Sequence, residues 1–197
     1  MAITYTNRKG QTYTLYKGQT KTGKPRYYFA RADKNQDEPV TELPTGFTIS
    51  ESVNGVVSLA KDRPALILPE EVAVVEKAIQ QLPDARKYRV VTKHNQIEIY
   101  ERVGPDYETL IPKILPSVRV SPERLKQIQS EMEQRAPYTP VLRFTLLDPA
   151  QRLFGGERMC YLGNIDGWLD LYKTESVATL ADELIPTLGT EEFFELW

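Results

Sequence analysis

Lys17-Gly18-Gln19-Thr20-Lys21-Thr22-Gly23-Lys24-Pro25-Arg26-Tyr27-Tyr28-Phe29-Ala30-Arg31 is the stretch on which the reading of this chain turns. From Gly18 to Lys24 it has the G-x-x-x-x-G-K spacing of a phosphate-binding loop. Such a loop leaves a buried strand, wraps backbone N–H groups round the phosphates and opens a helix whose first Ser or Thr hydroxyl holds magnesium. Pro25 occupies that Ser/Thr position. It supplies neither hydroxyl nor N–H, and it biases Lys24 toward extended backbone. The residues after it, Arg26 to Arg31, read as strand rather than helix. The stretch therefore predicts a lysine-bearing hairpin turn over Gln19–Lys24 feeding an aromatic strand, and not a nucleotide site.

Working outward, Ile3–Thr6 and Gln11–Tyr16 are rich in β-branched and aromatic residues, with Asn7-Arg8-Lys9-Gly10 as the turn between them. Arg26–Ala32 is the next strand. Phe47–Glu51 and Val56–Ala60 form a further pair joined through Asn54-Gly55, a dipeptide that tolerates the positive φ of a tight hairpin. Asp62-Arg63-Pro64 reads as a link. Helical spacing begins at Pro69, with Val72, Val75, Ile79 and Leu82 on one face. Tyr88–Thr92 and Ile97–Arg102 make a hairpin about His94-Asn95. Gly104–Pro116 reads as a connecting loop.

Ser121-Pro122 opens a helix to about Arg135. Pro137 and Pro140 close it, and Val141–Leu147, Glu157–Leu162 and Trp168–Tyr172 form a meander with turns at Asp148-Pro149 and Asn164–Gly167. Val177, Leu180, Ala181, Leu184 and Ile185 follow a helical stripe with Thr174 as its N-cap. Thr190 caps a short final turn. The expected fold is α+β: an antiparallel β-rich part over 1–62, then an α+β part over 63–197 with a strand meander and C-terminal helices. The two parts are read either as separate domains or as one continuous fold.

Composition limits the chemistry. One cysteine and one histidine exclude an internal disulfide and any zinc site of the Cys/His type within one chain. No apolar run reaches the roughly 18 residues of a membrane helix, and MAITYTNRKG lacks the hydrophobic region of a secretory signal, so no membrane contact and a cytoplasmic location are expected. Charge is unevenly placed. Residues 1–35 carry eight Lys/Arg against Asp33 alone, while from Asp148 onward ten Asp/Glu face three Lys/Arg. A basic pole attracts polyanions or acidic proteins; the plainer alternative is that the two poles attract each other, within one molecule or between copies.

Lys17, Lys21, Lys24, Arg26, Tyr28 and Arg31 are the candidate polyanion-binding residues. Strand alternation sends Arg26 and Tyr28 to one face and Tyr27, Phe29 and Arg31 to the other. Cations neutralise phosphates and tyrosines stack on unpaired bases, which suits sequence-tolerant single-strand binding. Tyrosine is also simply favoured in strands. Phe193, Phe194 and Trp197 are either a docked tail or a partner-binding patch. No catalytic residue, metal ligand or cofactor is assigned. His94 lies in a turn without a nucleophile motif, and Cys160 reads as a buried hydrophobe. Asp166, Asp170 and Glu175 lack the spacing of a calcium loop.

Thr20–Arg31 followed by Asn54-Gly55, together with Arg143-Phe144-Thr145-Leu146 leading to Gly163-Asn164-Ile165-Asp166-Gly167-Trp168, resembles a group of uncharacterised bacterial proteins. That resemblance implies no activity. The expectation is a non-enzymatic binding protein that meets nucleic acid or an acidic protein through its N-terminal surface. One alternative is an assembly protein that self-associates through its charged poles and aromatic tail; the other is a hydrolase with carboxylate-bound metal near Asp166 and Asp170.

Overall fold

In the computed structural model, residues 1–31, 37–104, 121–162 and 165–195 are described. In chain order the elements are strands β1 (Thr4–Thr6), β2 (Thr12–Gln19), β3 (Pro25–Ala30), β4 (Glu38–Pro39), β5 (Phe47–Glu51) and β6 (Val57–Lys61), then helix α1 (Pro69–Gln80) and strands β7 (Tyr88–Lys93) and β8 (Gln96–Arg102). They continue with α2 (Pro122–Arg135), β9 (Tyr138–Asp148), β10 (Leu153–Leu162), β11 (Ile165–Glu175), α3 (Val177–Leu184) and α4 (Glu191–Glu195). All strand pairings among the described residues are antiparallel. The fold is α+β with a β-rich N-terminal part. The chain divides into two compact units, 1–62 with 104–137, and 63–103 with 138–197. The first segment of one unit ends at Asp62 and that of the other starts at Arg63, and α2 groups with residues 1–62.

The first unit is built on β2, which pairs with β3 along one edge and with β1 and β4 along the other. Leu15 is fully buried and Tyr16 nearly so. The β5–β6 hairpin is tied to the N-terminal turn by side chains. Asn7 Nδ2 donates to the Gly55 carbonyl at 2.6 Å, and its Oδ1 accepts from Lys9 N and Gln11 N. Glu51 accepts from the Tyr5 hydroxyl and from Arg8 N. A buried asparagine with both ends of its amide used holds the turn in one conformation.

The second unit is a five-stranded sheet in the order β11-β10-β9-β8-β7. α1, α3 and α4 supply the buried side chains that share one core with it: Val75, Ile79, Leu180, Leu184 and Phe193 pack with Ile97, Ile99, Leu142, Phe144, Phe154 and Leu171. Each such side chain contributes about 1.5–3 kcal/mol of transfer free energy. The apolar stripe that the spacing predicts for α1 is the one used, with Val72 and Leu82 flanking the buried pair. α1 starts where Pro69 fits the first turn and the Glu71 carboxylate caps Leu68 N–H at 2.8 Å.

Four differences from the sequence reading have physical causes. β10 begins at Leu153, not Glu157, because Gly155 and Gly156 carry on the ladder opposite Thr145 and Phe144 despite their low strand propensity. Pro140 lies inside β9, opposite Tyr100, where the β8–β9 register shifts and its missing N–H is tolerated. Ile165, Asp166 and Gly167, expected in a turn, already pair with Leu162, Tyr161 and Cys160. The N-cap of α3 is Ser176, whose Oγ accepts from Thr179 N at 3.2 Å, rather than Thr174, which stays in β11. Ala32, most of the Gly104–Pro116 stretch and Asn164 lie outside the described residues. No helix among the described residues is long and apolar enough to cross a membrane.

Candidate functional site

The hairpin predicted from Pro25 is present. β2 runs into a turn closed by Thr20 N donating to the Lys24 carbonyl at 2.9 Å, and Pro25 is the first residue of β3. No helix follows Lys24, so the backbone cradle of a phosphate loop does not form.

Direct partners in an antiparallel ladder share a face. Tyr16 pairs with Tyr28 and Gly18 with Arg26, so Arg26, Tyr28 and Tyr16 lie on one side. The Arg26 guanidinium sits 5.5 Å from the centre of the Tyr28 ring, and that ring is 6.1 Å from Tyr16. A cation and two rings thus form a row. Lys21 and Lys24 stand exposed in the turn at its end, and Arg31 is exposed just past β3. Lys17 does not join the row: it pairs with Tyr27 and faces the other side.

Two acidic residues that no sequence pattern singles out sit against this hairpin. Asp37 accepts a hydrogen bond from the Tyr28 hydroxyl, and Glu38 pairs with Lys17 through β4. They offset part of the local charge. Lys21, Lys24, Arg26 and Arg31 form no ion pair with a described carboxylate.

The aromatic tail divides. Phe193 is buried in the core of the second unit, while Phe194 is 64% exposed and meets it edge to face at 5.7 Å. Trp197 lies outside the described residues. His94 Nδ1 donates to the Pro64 carbonyl at 2.8 Å and pins the link before α1 to the β7–β8 turn. Cys160 is buried, and the buried Arg158 two residues before it donates to the Phe194 carbonyl at 3.2 Å. Among the described residues no three His, Cys, Asp or Glu side chains are placed to hold a metal; the Asp166 side chain is outside them.

A second concentration of polar groups lies on the sheet face of the second unit turned away from its core. Arg143 Nε and Nη2 each donate to Glu157 at 2.6 Å, Thr145 adds a bond at 2.8 Å, and Gln96 Nε2 donates to Thr145 at 3.2 Å. Arg143 also lies 4.3 Å over the Trp168 ring. Burial pushes the Glu157 carboxyl up, but the hydrogen bonds from Arg143 and Thr145 and the guanidinium charge outweigh it and hold the group below its usual value. On the same face Glu98 is buried between Lys93 Nζ and the Tyr100 hydroxyl, at 2.8 and 2.6 Å.

Compared with protein-family models, curated proteins and solved structures, the chain matches none.

Proposed function

We propose that this is a cytoplasmic, non-enzymatic binding protein that contacts single-stranded nucleic acid through the β2–β3 hairpin. The observation that carries the reading is the Arg26–Tyr28–Tyr16 row, with Lys21 and Lys24 exposed at its end. Cations that are not spent on neighbouring carboxylates are free to neutralise phosphates, and a half-buried tyrosine offers a ring for base stacking.

The test is fluorescence anisotropy of a labelled mixed-sequence oligonucleotide across a salt series. Affinity is expected to fall as salt rises, and the combined change Lys21→Ala, Lys24→Ala and Arg26→Ala is expected to flatten that slope by about 0.7 for each phosphate no longer neutralised. Tyr28→Ala removes a stacking contribution of about 1–3 kcal/mol. Undetectable binding at low salt would overturn the reading. If polyglutamate bound instead, the surface would be reassigned to an acidic protein.

A further inference from the structure

The open face of the five-stranded sheet holds a concavity of about 430 Å³ between Gln96, Arg143, Glu157, Asp170, Tyr172 and the Leu147 rim. Four strands contribute to it, and two features shape it. The first is Gly155, which forms the floor: a Cβ there would stand 3.0 Å from Leu147 Cδ1, inside the space now left open. The second is a bulge in β11. Glu157 pairs with Asp170 and Gly155 with Thr174, so Leu171, Tyr172 and Lys173 together oppose the single residue Gly156. Tyr172 takes a left-handed backbone, φ 54°, and its side chain is 87% exposed at the rim. A bulky aromatic in that conformation is held against its own preference. Asp170 holds it there, accepting from Tyr172 N at 2.7 Å through Oδ1.

The lining is rich in acceptors. Its cation, Arg143, donates from Nε and Nη2 to Glu157 and lies 4.3 Å over the Trp168 ring. Among the described residues, Asp170 Oδ2 and Gln96 Oε1 have no protein partner. With Arg143 and Glu157 cancelling, Asp170 leaves the pocket one negative charge, and the Tyr172 ring beside it offers a π face. A ligand that donates hydrogen bonds and carries positive charge completes this arrangement; an anion does not.

We propose that this concavity binds a small organic cation bearing an ammonium or guanidinium group, with Asp170 as its counter-charge and Tyr172 covering it. Agmatine, which carries both groups, is the probe. Titrated into the full chain, it is expected to bind saturably at one site and to shift the Trp168 indole and the amides of Gln96, Gly155, Asp170 and Tyr172 in NMR spectra. Asp170→Asn, which keeps the Oδ1 acceptor, is expected to weaken binding at least about tenfold, as loss of a charge-assisted hydrogen bond does. Tyr172→Gly separates structure from binding: it relieves the left-handed backbone, so the melting temperature rises by about 2–4 °C while affinity falls. No saturable binding at millimolar agmatine, shifts confined to other parts of the chain, or unchanged affinity in Asp170→Asn would each overturn the proposal.

Discussion

Arg152 Nε donates to Glu71 Oε1 at 2.8 Å, joining the β9–β10 turn to the first turn of α1 across 81 residues of sequence. The second guanidinium contact reaches Glu71 Oε2, and Nη2 also donates to the Leu66 carbonyl at 3.1 Å. Arg152 does this from a left-handed backbone, φ 55°. The same Glu71 caps Leu68 N–H, so a single carboxylate closes the helix start and anchors the hairpin.

Arg152→Ala leaves that largely buried carboxylate with its cap but without its countercharge. The expected loss is about 2 kcal/mol in urea unfolding. Arg152→Lys should recover only part of it, because an ammonium cannot form the two-pronged contact. A loss under about 0.5 kcal/mol would place the pair among ordinary surface ion pairs.

Gly156→Ala should destabilise by about 1–3 kcal/mol, the usual range for overpacking. The added Cβ would lie 2.9 Å from Leu184 Cδ1, and Leu184 is fully buried with little room to yield. Gly155→Ala should cost less, because the Leu147 side chain it meets is 57% exposed and can swing away. Thermal melts of the two variants would give this order; the reverse order would contradict the packing.

Stability should fall at both ends of the pH range. The Glu157 carboxyl is held low in the folded chain, so its contribution is present above the ordinary carboxylate value of about 4.3 and lost as acid passes through the lower folded value. Glu157→Gln should flatten the acid limb. Tyr88 is pushed from 10.0 to about 12, first by burial and then by the charges of Glu101 and Asp84. Its contribution is intact below pH 10.0 and lost between there and about 12. Tyr88→Phe should flatten the alkaline limb, read as unfolding free energy against pH.

The aromatic tail offers a contrast between neighbours. Phe193→Ala empties a buried core position and should cost about 3 kcal/mol. Phe194→Ala, at an exposed position, should stay within about 0.5 kcal/mol. Equal effects in chemical denaturation would mean that the exposed ring is covered in solution.

Local signals carry the hairpins and helix starts. Pro25 removes the hydroxyl and N–H that a phosphate loop needs and turns Lys24 toward extended backbone, Asn54-Gly55 sets a turn, and Ser121 is the N-cap that accepts from Arg124 N at 3.3 Å. The limits of the meander are less legible, because propensity argues against glycine and proline in strands while neighbouring strands supply the pairing that keeps Gly155 and Pro140 there. The basic hairpin is legible as a hairpin but not in its electrostatics: Asp37 and Glu38 are separated from the turn lysines in sequence and return through β4. The sheet-face pocket is not legible at all. Gln96, Arg143, Glu157 and Asp170 come from four strands, and no spacing in the sequence announces that they converge.

The adjacent glycines of β10 point to opposite sides of the sheet, Gly155 to the concavity and Gly156 to α3. Neither residue has a side chain of its own, so Leu147 on one side and Leu184 on the other approach the bare backbone. Leu180 and Leu184 would lie within 4.0 Å of a Cβ on Gly156. The main chain of Gly155 and Gly156 is therefore the only part of β10 standing between the pocket floor and the leucines of α3 at this point.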